Sequence, residues 1–186
     1  MGTADVQNAL DKLVRAFDAL RIPYAIVGAL ALNEFGYQRT TVDVDVLLTR
    51  DGLATFKQSM LGRGYVEKFP GSRSLRDTEH GVDIDVVLTG DYPGDGKPKP
   101  VSFPDPATTA ERGARVALLP LTAFLELKLA SGMTAPHRLR DLADVQELIR
   151  IQRLPRHLAD SINPFVREKY LELWQSVTNH TDEPMP

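Results

Sequence analysis

Aspartates at alternating positions are the first residues in the chain with chemical content. The sequence reads Val42-Asp43-Val44-Asp45-Val46 and, about forty residues later, Val82-Asp83-Ile84-Asp85-Val86. Alternate side chains of a strand share a face, so Asp43 and Asp45 project together, roughly 7 Å apart at their Cα atoms. Aspartate is depleted in strands, and neighbouring carboxylates repel unless a cation relieves them. A hard divalent ion such as Mg²⁺ takes oxygen ligands, typically a few carboxylates plus substrate phosphates. Nucleotidyl and phosphoryl transfer often use two such ions. Asp43, Asp45 and one of Asp83 or Asp85 supply that ligand set. The plainer reading is the solvent face of a sheet, although such faces more commonly carry Thr, Lys or Glu.

Other residues join this pattern more loosely. Gly28 follows a short apolar strand and lets backbone approach a phosphate, with the amides of the following helix as anion donors. Arg39 lies four residues before Asp43 and can neutralise a phosphate. Lys128 sits in an apolar helical stripe, where an ammonium must reach water or an anion. Asp141 and Asp144 share a helix face near Arg138 and Arg140, a spacing typical of surface ion pairs. His80, His137, His157 and His180 show no zinc-ligand spacing. The sequence contains no P-loop, no GxGxxG and no nucleophile elbow.

The elements that must hold these residues alternate between helix and strand. Val6, Leu10, Leu13, Val14, Phe17 and Leu20 recur at helical spacing. Tyr24 to Val27 reads as a buried strand, Ala29 to Phe35 as a helix closed by Gly36, and Thr41 to Thr49 as a strand with Val42, Val44 and Val46 facing the core. Asp51 is placed to cap a third helix, with Leu53, Phe56, Met60 and Leu61 on its buried side. Tyr65 to Phe69, Arg73 to Asp77 and Arg115 to Leu119 read as short strands and Val82 to Leu88 as a clear one. The Gly- and Pro-rich stretch from Thr89 to Pro106 reads as an ordered excursion able to wall a cleft. Helices follow over Leu121 to Ser131, ended by Gly132, His137 to Ile151 and Pro164 to Val177. The expectation is an α/β (α+β) fold with a mixed central sheet and a helical C-terminal third. Its parts are a catalytic domain over 1–119, a helical part packed on it over 120–178, and a flexible tail over 179–186.

The 186 residues carry a net charge of -3, so no global basic excess advertises nucleic acid. The absence of cysteine excludes disulfides and thiolate metal sites and suits a reducing cytoplasm. The N-terminus does not read as a signal peptide, and no apolar run approaches a membrane span.

The run Gly28-Ala29-x-Ala31, Gly36, Arg39-x-Thr41-x-Asp43-x-Asp45 resembles the signature of the nucleotidyltransferase superfamily related to DNA polymerase β. More narrowly, it is similar to the minimal bacterial branch of AbiEii-type and MenT-type toxins. The resemblance covers roughly Tyr24 to Ile149. It implies a nucleotidyltransferase-like fold and a turn that holds the triphosphate. It also implies an Asp-x-Asp strand that binds Mg²⁺ (or Mn²⁺) and a third aspartate from a later strand. Asp85 best matches that third position, with Asp83 the alternative. Lys128 and Arg138-x-x-Asp141-x-x-Asp144 match a downstream lysine and helix of AbiEii-type proteins. The implied nucleotide-binding set is Gly28, Ala29, Arg39, Thr41, Lys128 and Asp141. The implied catalytic set is Asp43, Asp45, Asp85 and Lys128. The implied reaction moves a nucleoside monophosphate from an NTP such as ATP to an RNA 3′ end, tRNA included, or to a protein hydroxyl. For a toxin of a toxin–antitoxin system, an antitoxin protein would be a partner. Ala29 departs from the Gly or Ser of the family turn, which keeps open a silent binding module for nucleotide or partner protein. A phosphohydrolase using the same carboxylates is the third reading.

Overall fold

The computed structural model describes residues 3–181, with side chains over 5–179. In chain order the elements are α1 (Thr3–Leu20), β1 (Tyr24–Ile26), α2 (Gly28–Glu34), β2 (Asp43–Leu48), α3 (Arg50–Met60), β3 (Tyr65–Glu67), β4 (Leu75–Asp77) and β5 (Val82–Leu88). Then come α4 (Pro106–Thr109), β6 (Glu111–Arg112), β7 (Ala117–Leu118), α5 (Leu121–Thr134), α6 (Leu139–Gln152) and α7 (Pro164–Thr181). The chain divides into two compact units. One comprises Met1–Asn33, Gln38–Gly90 and Pro104–Pro120; the other comprises Glu34–Tyr37, Asp91–Phe103 and Leu121–Pro186.

The first unit holds a seven-stranded mixed sheet in the order β3-β4-β5-β2-β1-β7-β6. The β2–β5 and β1–β7 pairs are parallel and the others antiparallel. One face of this sheet is apolar because alternate positions are: Val44, Val46, Val82, Ile84 and Val86 are buried with Leu13 and Phe17 of α1 and Phe56 of α3. The rings of Phe17, Tyr24, Phe56 and Tyr65 pack through this core at centroid spacings of 5.0–5.2 Å, stacked at Phe17–Tyr24 and edge-on at Phe56–Tyr65. The residues between these apolar ones, Asp43, Asp45, Asp83 and Asp85, therefore project from the opposite face.

Several boundaries differ from the sequence expectation for identifiable reasons. Val42 precedes β2 and is 60% exposed, so the core-facing series begins at Val44. Thr49, not Asp51, caps α3, its hydroxyl accepting from the Gly52 amide at 3.0 Å; Asp51 lies in the first turn. β7 lies within the strand expected over Arg115 to Leu119, while its partner β6 and the turn α4 are too brief to leave a periodic signal.

In the second unit, α5 runs past Gly132 to Thr134. That glycine permits close helix packing instead of ending the helix: a Cβ there would lie 2.5 Å from Leu142 Cγ of α6. The excursion between β5 and α4 contains no helix or strand. Inside it, Lys99 Nζ donates to Pro93 O and Asp95 Oδ1, both at 2.7 Å. Helix α7 extends to Thr181, so part of the expected flexible tail is helical. The remainder, 182–186, lies outside the described residues.

Candidate active site

The parallel pairing of β2 with β5 puts Asp43 opposite Asp83 and Asp45 opposite Asp85. Neighbouring strands lie about 4.8 Å apart and alternate residues of one strand about 7 Å. Four carboxylates therefore share a patch of roughly 5 by 7 Å on the face away from the core. All four are partly exposed, alternating with the buried apolar residues of the same strands. Thr41 donates its hydroxyl to Asp43 Oδ1 from just before the strand.

Gly28 is placed against this patch. It opens α2 with φ +64°, and a Cβ built on it would stand 1.9 Å from Asp45 Oδ2. The Val27 amide donates to Asp45 O at 3.0 Å, so the strand–turn junction is hydrogen-bonded to the residue whose carboxylate it accommodates. Ala29 is buried in the first turn of α2. Arg39 is fixed through its backbone: its amide donates to Asn33 Oδ1 at 2.6 Å, and Asn33 Nδ2 donates to its carbonyl at 3.1 Å.

Two cations that sequence reasoning did not single out sit among the carboxylates. Lys68, just after β3, places Nζ 3.0 Å from Asp83 Oδ2 and 3.9 Å from Asp85 Oδ1. Arg76 of β4 places Nη1 2.8 Å from Asp83 Oδ1. Burial pushes the Asp83 carboxyl up, but the hydrogen bonds from Lys68 and Arg76 outweigh it and hold the group below the usual carboxylate range. The hydrogen bond to Asp83 raises the Lys68 ammonium, and the charges of Asp85 and Asp43 add to it. In sequence, Lys68 and Arg76 look like ordinary hairpin charges. Only the β4–β5 register, which sets Arg76 opposite Asp83, reveals their target.

The donor set suits a hard cation: oxygen-only ligands and adjacent like charges on one open face. A second cluster competes for that description. Among the described residues, Asp77, Glu79 and His80 are the group whose ligand atoms lie within 4.8 Å of one another. Lys12 already neutralises it, however, with Nζ 2.5 Å from Asp77 Oδ1 and 3.1 Å from Glu79 Oε2. Asp77 Oδ2 is 2.5 Å from His80 Nδ1. Asp77 also pairs with Val82 in register and so faces the core side of the sheet. A cleft of about 260 Å³ lined by Lys12, Arg15, Glu79 and His80 belongs to that cluster and not to the carboxylate patch.

In the second unit, Lys128 donates to Asp141 Oδ1 at 2.7 Å and to Asp144 Oδ2 at 2.8 Å. Ser131 donates to Asp141 Oδ2 at 2.6 Å. Asp141 and Asp144 are buried, so the surface pairing with Arg138 and Arg140 suggested by helical spacing is replaced by a buried network between α5 and α6.

The architecture matches solved proteins. A crystal structure of ANT(2'')-Ia in complex with adenylyl-2''-tobramycin superposes with a TM-score of 0.56 at 12% identity, covering 96% of this chain and 99% of that one. A Helicobacter pylori protein assigned as a nucleotidyltransferase gives 0.51 at 12% identity over all of both chains. The fold is a nucleotidyltransferase fold. JHP933 from Helicobacter pylori shares this nucleotidyltransferase fold with a TM-score of 0.50 and 13% identity, covering 96% of this chain and 92% of its own. No family model and no curated protein matches the chain. Within the nucleotidyltransferase fold seen here, β2 and β5 bring the four aspartates together, while Lys128, Asp141 and Asp144 form their own cluster in the other unit.

Proposed function

We propose that the chain is a metal-dependent nucleotidyltransferase that moves a nucleoside monophosphate from an NTP to an acceptor hydroxyl and releases pyrophosphate. The observation that carries this reading is the register of β2 with β5, which sets Asp43 and Asp45 beside Asp83 and Asp85 on one open face. The same fold in a protein crystallised with an adenylylated molecule supports it. Asp43, Asp45 and Asp85 would hold Mg²⁺ or Mn²⁺. Asp85 is preferred to Asp83 because both oxygens of Asp83 are already taken by Lys68 and Arg76. A divalent ion bound there supplies charge neutralisation for the triphosphate and Lewis acidity at phosphorus.

The chain's own groups have separable tasks. Gly28 leaves room for the Asp45 carboxylate, and the Gly28 and Ala29 amides at the start of α2 would donate to the triphosphate. Thr41 orients Asp43 through its hydroxyl. Arg39 adds positive charge for phosphate. Asp85 would accept the acceptor hydroxyl's proton. Lys128 and Asp141 join the nucleotide-binding set through the family resemblance, and that resemblance also puts the chain near the AbiEii/MenT-type toxins. On this reading the acceptor is an RNA 3′ end or a protein hydroxyl, the setting is the cytoplasm, and an antitoxin protein is a partner. The test is transfer of label from α-labelled NTP to total cellular RNA and protein. Wild type should label an acceptor, and Asp45→Asn should lose roughly 100-fold or more in rate. Full labelling by Asp45→Asn would sink the assignment.

A further inference from the structure

Asp83 and Asp85 are equivalent in sequence pattern but not in surroundings. The asymmetry comes from the β3–β4 hairpin. Its backbone is pinned: the Lys68 amide donates to Ser74 O at 3.1 Å, and Lys57 of α3 donates to Glu67 Oε1 at 2.7 Å and to Ser72 O. Glu67 in turn accepts from the Gly71 amide at 2.9 Å. Lys68 is thus launched from a fixed point toward the carboxylates. Its side chain stays 37% exposed, so it can swing to solvent without breaking the fold. Arg76 of β4 pairs with Asp83 across the β4–β5 ladder, whereas Lys68 also approaches Asp85.

We propose that Lys68 sets the divalent-metal affinity of the carboxylate face, because its ammonium and an incoming ion compete for Asp85 while Lys68 and Arg76 keep Asp83 out of the ligand set. This rests on the metal-dependent reading above. A cation 3.9 Å from Asp85 Oδ1 must yield when a dication binds the same carboxylate. Lys68 acts here as a positioning residue for the carboxylates. Removing its charge should tighten metal binding on the order of ten-fold, the effect of one unit charge at such a range in a partly solvated site. The gain should shrink in high salt, which screens exposed charges.

The test is Mn²⁺ titration of the full chain, with free Mn²⁺ read by electron paramagnetic resonance. Lys68→Met and Lys68→Gln should each tighten Mn²⁺ binding about ten-fold at low salt and less at about 0.5 M salt, by the charge argument above. Lys68→Arg should stay near wild type. Saturable binding that Asp45→Asn abolishes but that Lys68→Met leaves unchanged or weakens overturns this inference and leaves the metal-dependent reading standing. If wild type shows no saturable Mn²⁺ binding, the metal-dependent reading fails and this inference falls with it.

Discussion

Gly28→Ala probes how the fold makes room for its central carboxylate. Two costs separate. Alanine at φ +64° adopts a left-handed backbone, at about 1–2 kcal/mol. Its Cβ would also stand 1.9 Å from Asp45 Oδ2, 2.6 Å from Cγ and 2.9 Å from Asp45 Cβ, so the carboxylate must leave its position or the turn must open. Relief of such overpacking costs about 1–3 kcal/mol. The sum is about 2–5 kcal/mol of stability, with the Asp45 carboxylate displaced by an ångström or more. A misplacement of that order lowers the rate about 100-fold.

Gly62→Ala separates the two costs. Gly62 has φ +75° and nothing within 4 Å of where a Cβ would stand, so it carries the backbone cost alone. Urea unfolding of both variants should show Gly28→Ala losing about 1–3 kcal/mol more than Gly62→Ala. Transfer activity should fall only in Gly28→Ala. Equal stability losses with activity retained in both would refute the argument that Gly28 exists to admit Asp45.

Two further expectations concern the ion pairs. Lys128→Met leaves Asp141 and Asp144 without their shared ammonium inside the second unit. The expected cost is about 3–5 kcal/mol by urea unfolding; a loss under about 1 kcal/mol would mean the lysine behaves as a surface group. For Asp77, burial pushes the carboxyl up, but Lys12, His80 and the Glu79 amide together hold it below its ordinary value of 3.8. A depressed folded value means that stability is complete above the unfolded value and is lost as pH falls through the folded one. Urea midpoints of wild type should therefore drop more steeply below about pH 4 than those of Asp77→Asn, and parallel curves would remove Asp77 from the acid response.

Much of the fold was legible because period-two and period-3.6 patterns are local. The alternation at Val44-Asp45-Val46 and Val82-Asp83-Ile84 defines both the buried face and the carboxylate face before any pairing is known. The cap of α3 is not decided by residue type, because Thr49 and Asp51 are both good capping residues two positions apart, and only backbone geometry selects Thr49. The surface placement that spacing suggests for Asp141 and Asp144 fails for a related reason. Helical spacing names neighbours within α6, whereas their partner Lys128 comes from α5. Gly132 has the composition of a helix stop but belongs to the same packing, where the missing side chain admits Leu142.

The choice between Asp83 and Asp85 shows where local pattern ends. Both alternate correctly, both flank Ile84, and each pairs in register with an aspartate of β2. What distinguishes them is the hand-off of charge from the next strand pair. Arg76 sits opposite Asp83, and Lys68 reaches Asp83 at 3.0 Å but Asp85 only at 3.9 Å. The sheet therefore grades its own negative charge. At the β4 side the carboxylate is neutralised by protein cations, and at Asp85 the compensation from this hairpin thins. On the metal-dependent reading proposed above, a divalent ion would therefore draw on Asp85 and the Asp43–Asp45 pair rather than on Asp83, with Asp45 seated against Gly28.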